Sequence, residues 1–275
     1  MDIESFIKNE KNYFAPMQSR ALKVTEQQRA QWKRESVAER QERISLEVYD
    51  LTEGVVRYGP FAGMRLARTA WWGASDLGAQ CLGLYEPEIL ALLGGLPKSG
   101  RNTFIDIGAA DGYYTTGMLF SKMVERAICF ELSESGRETI SHNWIKNGSP
   151  GALEIFGEAS ELSITAIDPV ALGQAIVLAD IEGAEFSVFS DAVFTALKGS
   201  IIILEVHNWV PDFDTLYAEL LRRGNEYFDI EIVGRQSASS LDMPELRDFT
   251  DDNRLLLQSE RRPCVMRFLK FTPKP

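Results

Sequence analysis

Two apolar runs of this chain end in residues able to handle a proton. Residues 175–179 lead into Asp180-Ile181-Glu182-Gly183-Ala184-Glu185, and Ile201-Ile202-Ile203-Leu204 leads into Glu205-Val206-His207. Such runs read as buried strands, and open α/β sheets bind ligands where their strands end. His207 is one of only two histidines, and imidazole titrates where a base can take a proton from a hydroxyl. It is the first candidate base. The other reading has its ring bonding the backbone to lock the loop before Trp209, because a buried polar ring needs a partner. His142 falls within a helix, away from these strand ends. Asp180 is the competing base, or holds a ligand's amino group or hydroxyl. Glu182 either orients a reactant or caps the loop, and Glu185 reads as a helix start. Carboxylate and imidazole ligands suit several divalent metals. The spacing of Asp180, Glu182 and His207 is not diagnostic of one, and no metal is expected.

A third segment, Phe104-Ile105-Asp106-Ile107-Gly108-Ala109-Ala110-Asp111-Gly112, runs from an apolar strand through an acid into a small-residue turn. Gly108 and Gly112 let the backbone turn tightly and approach a ligand. The GxGxxG dinucleotide fingerprint fails, since Ala110 and Tyr113 stand at its second and third glycine positions. The remaining Asp-x-Gly-x-x-x-Gly resembles the first motif of Rossmann-like methyltransferases that use S-adenosylmethionine. Glu131 ends the next apolar run, a position from which an acid accepts two hydrogen bonds from ribose hydroxyls; its other reading is a solvated helix cap. Glu158 and Ala159 follow the third run, where a side chain can meet an adenine edge.

These residues need a frame to position them. A chain of 275 residues with 45% hydrophobic content buries one sizeable core, with room for a small attachment. A net charge of -11 repels phosphate backbones, so nucleic acid is not an expected partner. Cys81, Cys129 and Cys264 form neither a disulfide framework nor a zinc motif, which suits a reducing cytoplasm. The N-terminus lacks the regions of a signal peptide, and no apolar run reaches membrane-spanning length, so a soluble cytoplasmic protein is expected.

Residues 24–51 are highly charged, with Thr25 and Gln28 spaced as a capping box and Val37, Ile44, Val48 and Leu51 at helical intervals. They read as a long amphipathic helix, lying on the catalytic domain or forming a homodimer contact. Gly54, Gly59, Pro60 and Gly63 suggest a hairpin over 54–66 that covers the sheet edge or the site. The stretch from Pro97 to Asn102 is the clearest break, dividing a helical extension and hairpin cover (1–100) from a catalytic domain (101–275). Beyond it, residues 113–123 read as a helix, 127–130 and 153–156 as strands, and 212–223 as a helix. Residues 227–233 and 264–271 read as a terminal antiparallel pair, and 248–253 as a solvated loop between them.

In this order the motifs resemble the FkbM-type family of S-adenosylmethionine-dependent methyltransferases. The resemblance rests on Asp180 to Glu185, on Glu205 to His207, and on the lead-in segments Tyr58 to Met64 and Gly83 to Glu88. It covers roughly residues 55 to 210. It implies an α/β Rossmann-like class I methyltransferase fold: a mostly parallel seven-stranded sheet with helices on both faces. The implied cofactor is S-adenosylmethionine, with Glu86, Asp106, Gly108, Ala109, Ala110, Asp111, Gly112, Tyr114, Glu131, Leu132, Glu158, Ala159 and Asp180 as its binding positions. It also implies O-methylation of a small-molecule hydroxyl, on a carbohydrate or secondary metabolite. One departure is Ala179, where many family members carry Lys. Trp71, Trp72, Trp144 and Trp209 either wall a substrate pocket or pack in the core. Other readings stay open: methylation of nitrogen or protein, a non-catalytic cofactor-binding partner, and a NAD enzyme on the same layout.

Overall fold

The computed structural model describes residues 2–5, 7–12, 26, 30, 33–96, 100–237 and 239–275. Thr25 and Gln28 of the expected capping box, and residues 97–99 of the expected break, lie outside them. The apolar runs become strands β1 (Thr103–Ile107), β2 (Arg126–Phe130), β3 (Ala152–Phe156), β4 (Ala175–Ala179) and β5 (Ile201–Val206), all parallel. They are followed by β6 (Phe228–Val233) and β7 (Arg267–Pro273), and the sheet order is β3-β2-β1-β4-β5-β7-β6. β7 is antiparallel to both neighbours. This is the seven-stranded, mostly parallel Rossmann-like sheet expected from the sequence.

Period-two alternation splits the core between the two faces. Phe104, Ile176, Leu178 and Ile203 pack on one face, while Ile105, Ile107, Val177, Ile202 and Leu204 pack on the other. The first face is covered by helices α1 (Val37–Thr52), α2 (Leu77–Leu82), α3 (Pro87–Gly95) and α4 (Tyr113–Phe120). Helix α5 (Glu134–Lys146) follows β2. The second face takes α6 (Asp191–Ala196) and α7 (Phe213–Tyr227), among others. Residues 44–93 thus share one core with the sheet.

α1 begins at Val37, later than the charge pattern suggested, because Ser36 and Glu39 form the capping box. It buries Ile44, Val48 and Tyr49 against the sheet-side core and leaves Val37 and Leu51 exposed. Between residues 54 and 66 the backbone pairs antiparallel across a turn through the Val55–Arg65 bridge and the hydrogen bonds of Val56 with Met64 and Leu66 with Gly54, a hairpin as expected though without regular strands. Its Phe61 ring packs edge-on against Tyr113 and Tyr114, so the hairpin covers α4. α7 runs to Tyr227, past the expected end at 223, because Gly224 is no stop signal: a Cβ there would lie 2.5 Å from the Phe271 ring. The expected solvated loop at 248–253 is also corrected. Thr250 caps a helix, Asp251–Leu256, while Leu246, Phe249 and Leu257 are buried beside it. Among the described residues no helix is long and apolar enough to cross a membrane.

The chain winds outward from β1 through β2 to β3, then returns to β4 on the other side of β1. The crevice between the ends of β1 and β4 is the topological switch point, where such sheets bind ligands. Its closeness is set by Gly108 (φ 89°): a Cβ there would stand 1.8 Å from the Asp180 carbonyl oxygen. Gly112 (φ 75°) instead faces the Ile140 side chain, 3.0 Å from where a Cβ would be. Both glycines therefore answer to packing inside the protein. Gly108→Ala is expected to cost more than about 3 kcal/mol, as backbone blocks backbone. Gly112→Ala should cost about 1–2 kcal/mol, since Ile140 can yield. Urea unfolding of the two variants checks the order.

Candidate active site

The crevice opens into a cavity of about 410 Å³, within the range of small-molecule sites, roughly 300–1,000 Å³. Its lining brings together Glu86, Asp106, Gly108, Ala109, Ala110, Asp111, Tyr114, Glu131, Leu132, Glu158, Ala159, Asp180 and Glu182. Two expected site residues are not on its wall. Gly112 starts α4 behind the turn, and His207 lies fully buried behind Asp180 and Glu182.

Glu131 ties one side of the cavity together. Its Oε2 accepts the Ala110 amide at 2.9 Å and its Oε1 the Ser133 amide at 2.8 Å, joining the turn after β1 to the turn after β2. The Gly108 and Ala109 amides donate to the Phe130 carbonyl. Asp111 accepts the Trp71 amide at 2.9 Å, which brings Trp71 and Trp72 to the mouth as a half-exposed edge-on pair. Trp144 does not reach the site; its indole donates to the Pro150 carbonyl. Trp209 packs edge-on against the His207 ring, with centroids 4.7 Å apart.

The floor is acidic. Asp106 is buried, and its Oδ2 accepts from the Thr115 hydroxyl at 2.5 Å. Burial pushes its carboxyl up to about 7, against the pull of Thr115. Asp111 is likewise raised to about 6 by burial. Glu86 accepts the Tyr114 hydroxyl at 2.6 Å. Burial first, and then the Asp180 charge, raise both Glu86 and Glu205. Arg262 answers this charge, lying 3.1 Å from Glu86, 2.9 Å from Glu205 and 2.5 Å from Glu260. No local pattern marked Arg262, since two of its three partners, Glu86 and Glu205, are far away in the chain.

His207 ends a strand, as expected, but its surroundings are those of a held ring. Its amide donates to Glu185 Oε1 at 2.8 Å and its Nδ1 faces the same oxygen at 3.2 Å. Its Nε2 lies 3.3 Å from Asp180 Oδ1, 3.6 Å from Glu205 Oε2 and 3.7 Å from Glu182 Oε2. Burial opposes a charge on the ring, but Asp180 and Glu185 outweigh it and lift its pKa to about 9. The ring does not reach the cavity wall, where the first expectation for His207 would place it. Glu185 does start a short helix, Glu185–Val188, yet it is fully buried and is chiefly the anchor of His207. Its Oε2 also accepts the Gly183 amide at 2.9 Å. The signal for this role was its place five residues after Asp180 in the strand-end segment.

The sequence matches no protein-family model and no curated protein. Solved structures are similar in fold. A precorrin-6y C5,15-methyltransferase from Geobacter metallireducens GS-15 is 13% identical with a TM-score of 0.40, over 62% of this chain and 79% of that one. A dimethyladenosine transferase from Plasmodium falciparum is 13% identical with a TM-score of 0.42, over 68% of this chain and 62% of that one. The bifunctional kinase-methyltransferase WbdD is 14% identical with a TM-score of 0.46, over 68% of this chain and 38% of that one.

Asp106 has a testable consequence for stability. Its folded pKa, about 7, lies above the ordinary 3.8, so the stability it contributes is full below pH 3.8 and lost as pH rises through about 7. Asp106→Asn keeps an acceptor for Thr115 and removes the charge. The variant should melt several degrees above the parent at pH 8 and close to it at pH 4. An equal difference at both pH values, in thermal scans, would exclude a neutral buried carboxyl as the cause.

Proposed function

We propose that the chain is an S-adenosylmethionine-dependent O-methyltransferase whose acceptor is a hydroxyl of a carbohydrate or secondary metabolite, in keeping with the FkbM-type resemblance of its motifs. The observation that carries this reading is Glu131. Its carboxylate is clamped by two backbone amides and faces the same cavity as the turn after β1. An acid held so is ready to accept two hydrogen bonds from a ribose diol.

The cavity also suits the rest of this cofactor. Adenosylmethionine carries a sulfonium and an ammonium, and the floor offers an excess of carboxylate. Glu86, Asp106, Asp180 and Glu182 line it, and Asp180 Oδ1 is buried without a hydrogen-bond partner. Phe130, Leu132 and Ile181 give apolar walls beside Glu158 and Ala159, fitting the adenine end. Glu86, Tyr114 and Asp106 suit the methionine end. When bound, the cofactor supplies a methyl group already activated on sulfur.

What is left to the protein is to align a hydroxyl, exclude water and take its proton. Alignment contributes roughly 7–11 kcal/mol in well-oriented cases, and a proton acceptor roughly 10²–10⁴-fold. Of the carboxylates on the cavity wall, Asp180 and Glu182 at the end of β4 accept the proton; His207, behind them, positions Asp180. Trp71 and Trp72 offer flat apolar faces to the acceptor.

Calorimetry with S-adenosylhomocysteine tests the cofactor. The parent should bind one equivalent, and Glu131→Gln should weaken binding at least about tenfold, or about 1.4 kcal/mol. A folded parent that does not bind, or a variant that binds equally well, overturns the reading. Turnover with polyol acceptors separates an enzyme from a non-catalytic binding protein, and Asp180→Asn should then slow it by about 10²-fold or more.

A further inference from the structure

We infer that Asp180, Glu182 and His207 form a binding site for one divalent first-row transition ion of the Mn²⁺ to Zn²⁺ series. The inference goes beyond the methyltransferase reading and does not depend on it. One ligand atom from each of the three residues lies within 4.8 Å of the others. The separations from His207 Nε2 are 3.3 Å to Asp180 Oδ1 and 3.7 Å to Glu182 Oε2. Two atoms each about 2.1 Å from one ion are about 3.0 Å apart at a right angle and about 3.4 Å at the tetrahedral angle. Small side-chain adjustments therefore close the site.

The buried histidine points to an ion independently of the acids. Glu185 Oε1 already accepts the His207 amide and Oε2 the Gly183 amide, so Glu185 faces the ring as an acceptor and fixes the hydrogen on Nδ1. This is the outer-shell carboxylate arrangement that orients metal-bound imidazoles. Nε2 is fully buried, has no hydrogen-bond partner, and points at the oxygens of Asp180, Glu182 and Glu205. A ring nitrogen facing three carboxylates calls for a positive charge between them, which a bound proton or a divalent ion supplies.

The neighbouring group of Glu86, Asp180 and Glu205 also converges. There, however, the Arg262 guanidinium already supplies the positive charge, 3.1 Å from Glu86 and 2.9 Å from Glu205. That leaves the histidine side for an ion. One imidazole and two carboxylates favour a borderline transition ion over Mg²⁺ or Ca²⁺. Because Asp180 and Glu182 also line the cavity, the ion's remaining positions would face it, where an acceptor oxygen can enter. A hydroxyl held there loses its proton to water more readily than a free one.

The test is titration of the chelator-treated full chain with Mn²⁺, following the electron paramagnetic resonance signal of the free ion, with no methyl donor present. One equivalent should be taken up, and equimolar Mg²⁺ should not displace it. Glu182→Gln, on the half-exposed loop, should weaken uptake at least tenfold; His207→Gln should do the same if it folds. Glu161→Gln, on a surface helix, should bind as the parent does. Absence of saturable uptake by the folded parent overturns the site, as does Glu182→Gln binding equal to the parent, or ready displacement by Mg²⁺. The readout is the ion alone, so failure here leaves the S-adenosylhomocysteine calorimetry standing, and the reverse holds too.

Discussion

The contact on which the site depends is between two backbones, at the ends of β1 and β4. Gly108 accommodates the Asp180 carbonyl where any other residue would put a side-chain carbon, and the Asp180 amide donates to Ile107 at 2.9 Å. Closing the strands this tightly starts two loops from one spot. One carries the turn toward Glu131; the other carries Asp180 and Glu182 over His207. The geometry of the cavity follows from a backbone approach that only glycine permits.

A second constraint is charge. Burying several carboxylates together is unfavourable unless they are protonated or paired. This fold uses both devices. Burial raises Asp106, Asp111, Glu86 and Glu205 above the ordinary carboxyl range, and Glu86, Glu205 and Glu260 also share Arg262. The residual excess of negative charge lies at the cavity, which is where a cationic ligand would offset it. Stability and ligand preference are thus set by the same side chains.

The elements legible in the sequence were those whose signal is local. The run 175–179 is β4 to the residue, and the turn after Asp106 is where the apolar strand ends. Glu131 was recognisable because an acid directly follows an apolar run at the right distance from the glycines. The elements misread depend on partners distant in sequence. Gly224 looks like a helix stop until Phe271 is packed against it. The polar stretch 248–253 is solvent-exposed at Thr250, Asp251 and Asp252 as it reads, but it reads as a loop because the helix starting inside it continues beyond it to Leu256. His207 is legible as the end of a strand, but nothing in its own segment shows that Glu185 will be buried beneath it.

The position of β7 has a consequence for how this chain is made. Residues 267–273 pair with β5 on one side and β6 on the other, and among the described residues β6 pairs with no other strand. During synthesis from the N-terminus, β5 emerges with the apolar sequence Ile-Ile-Ile-Leu before its partner exists. Until the last strand leaves the ribosome, that edge presents unpaired amides and carbonyls on an apolar ribbon, the surface that recruits other chains. A nascent or truncated chain lacking these seven residues would have to be shielded by chaperones rather than by its own sheet.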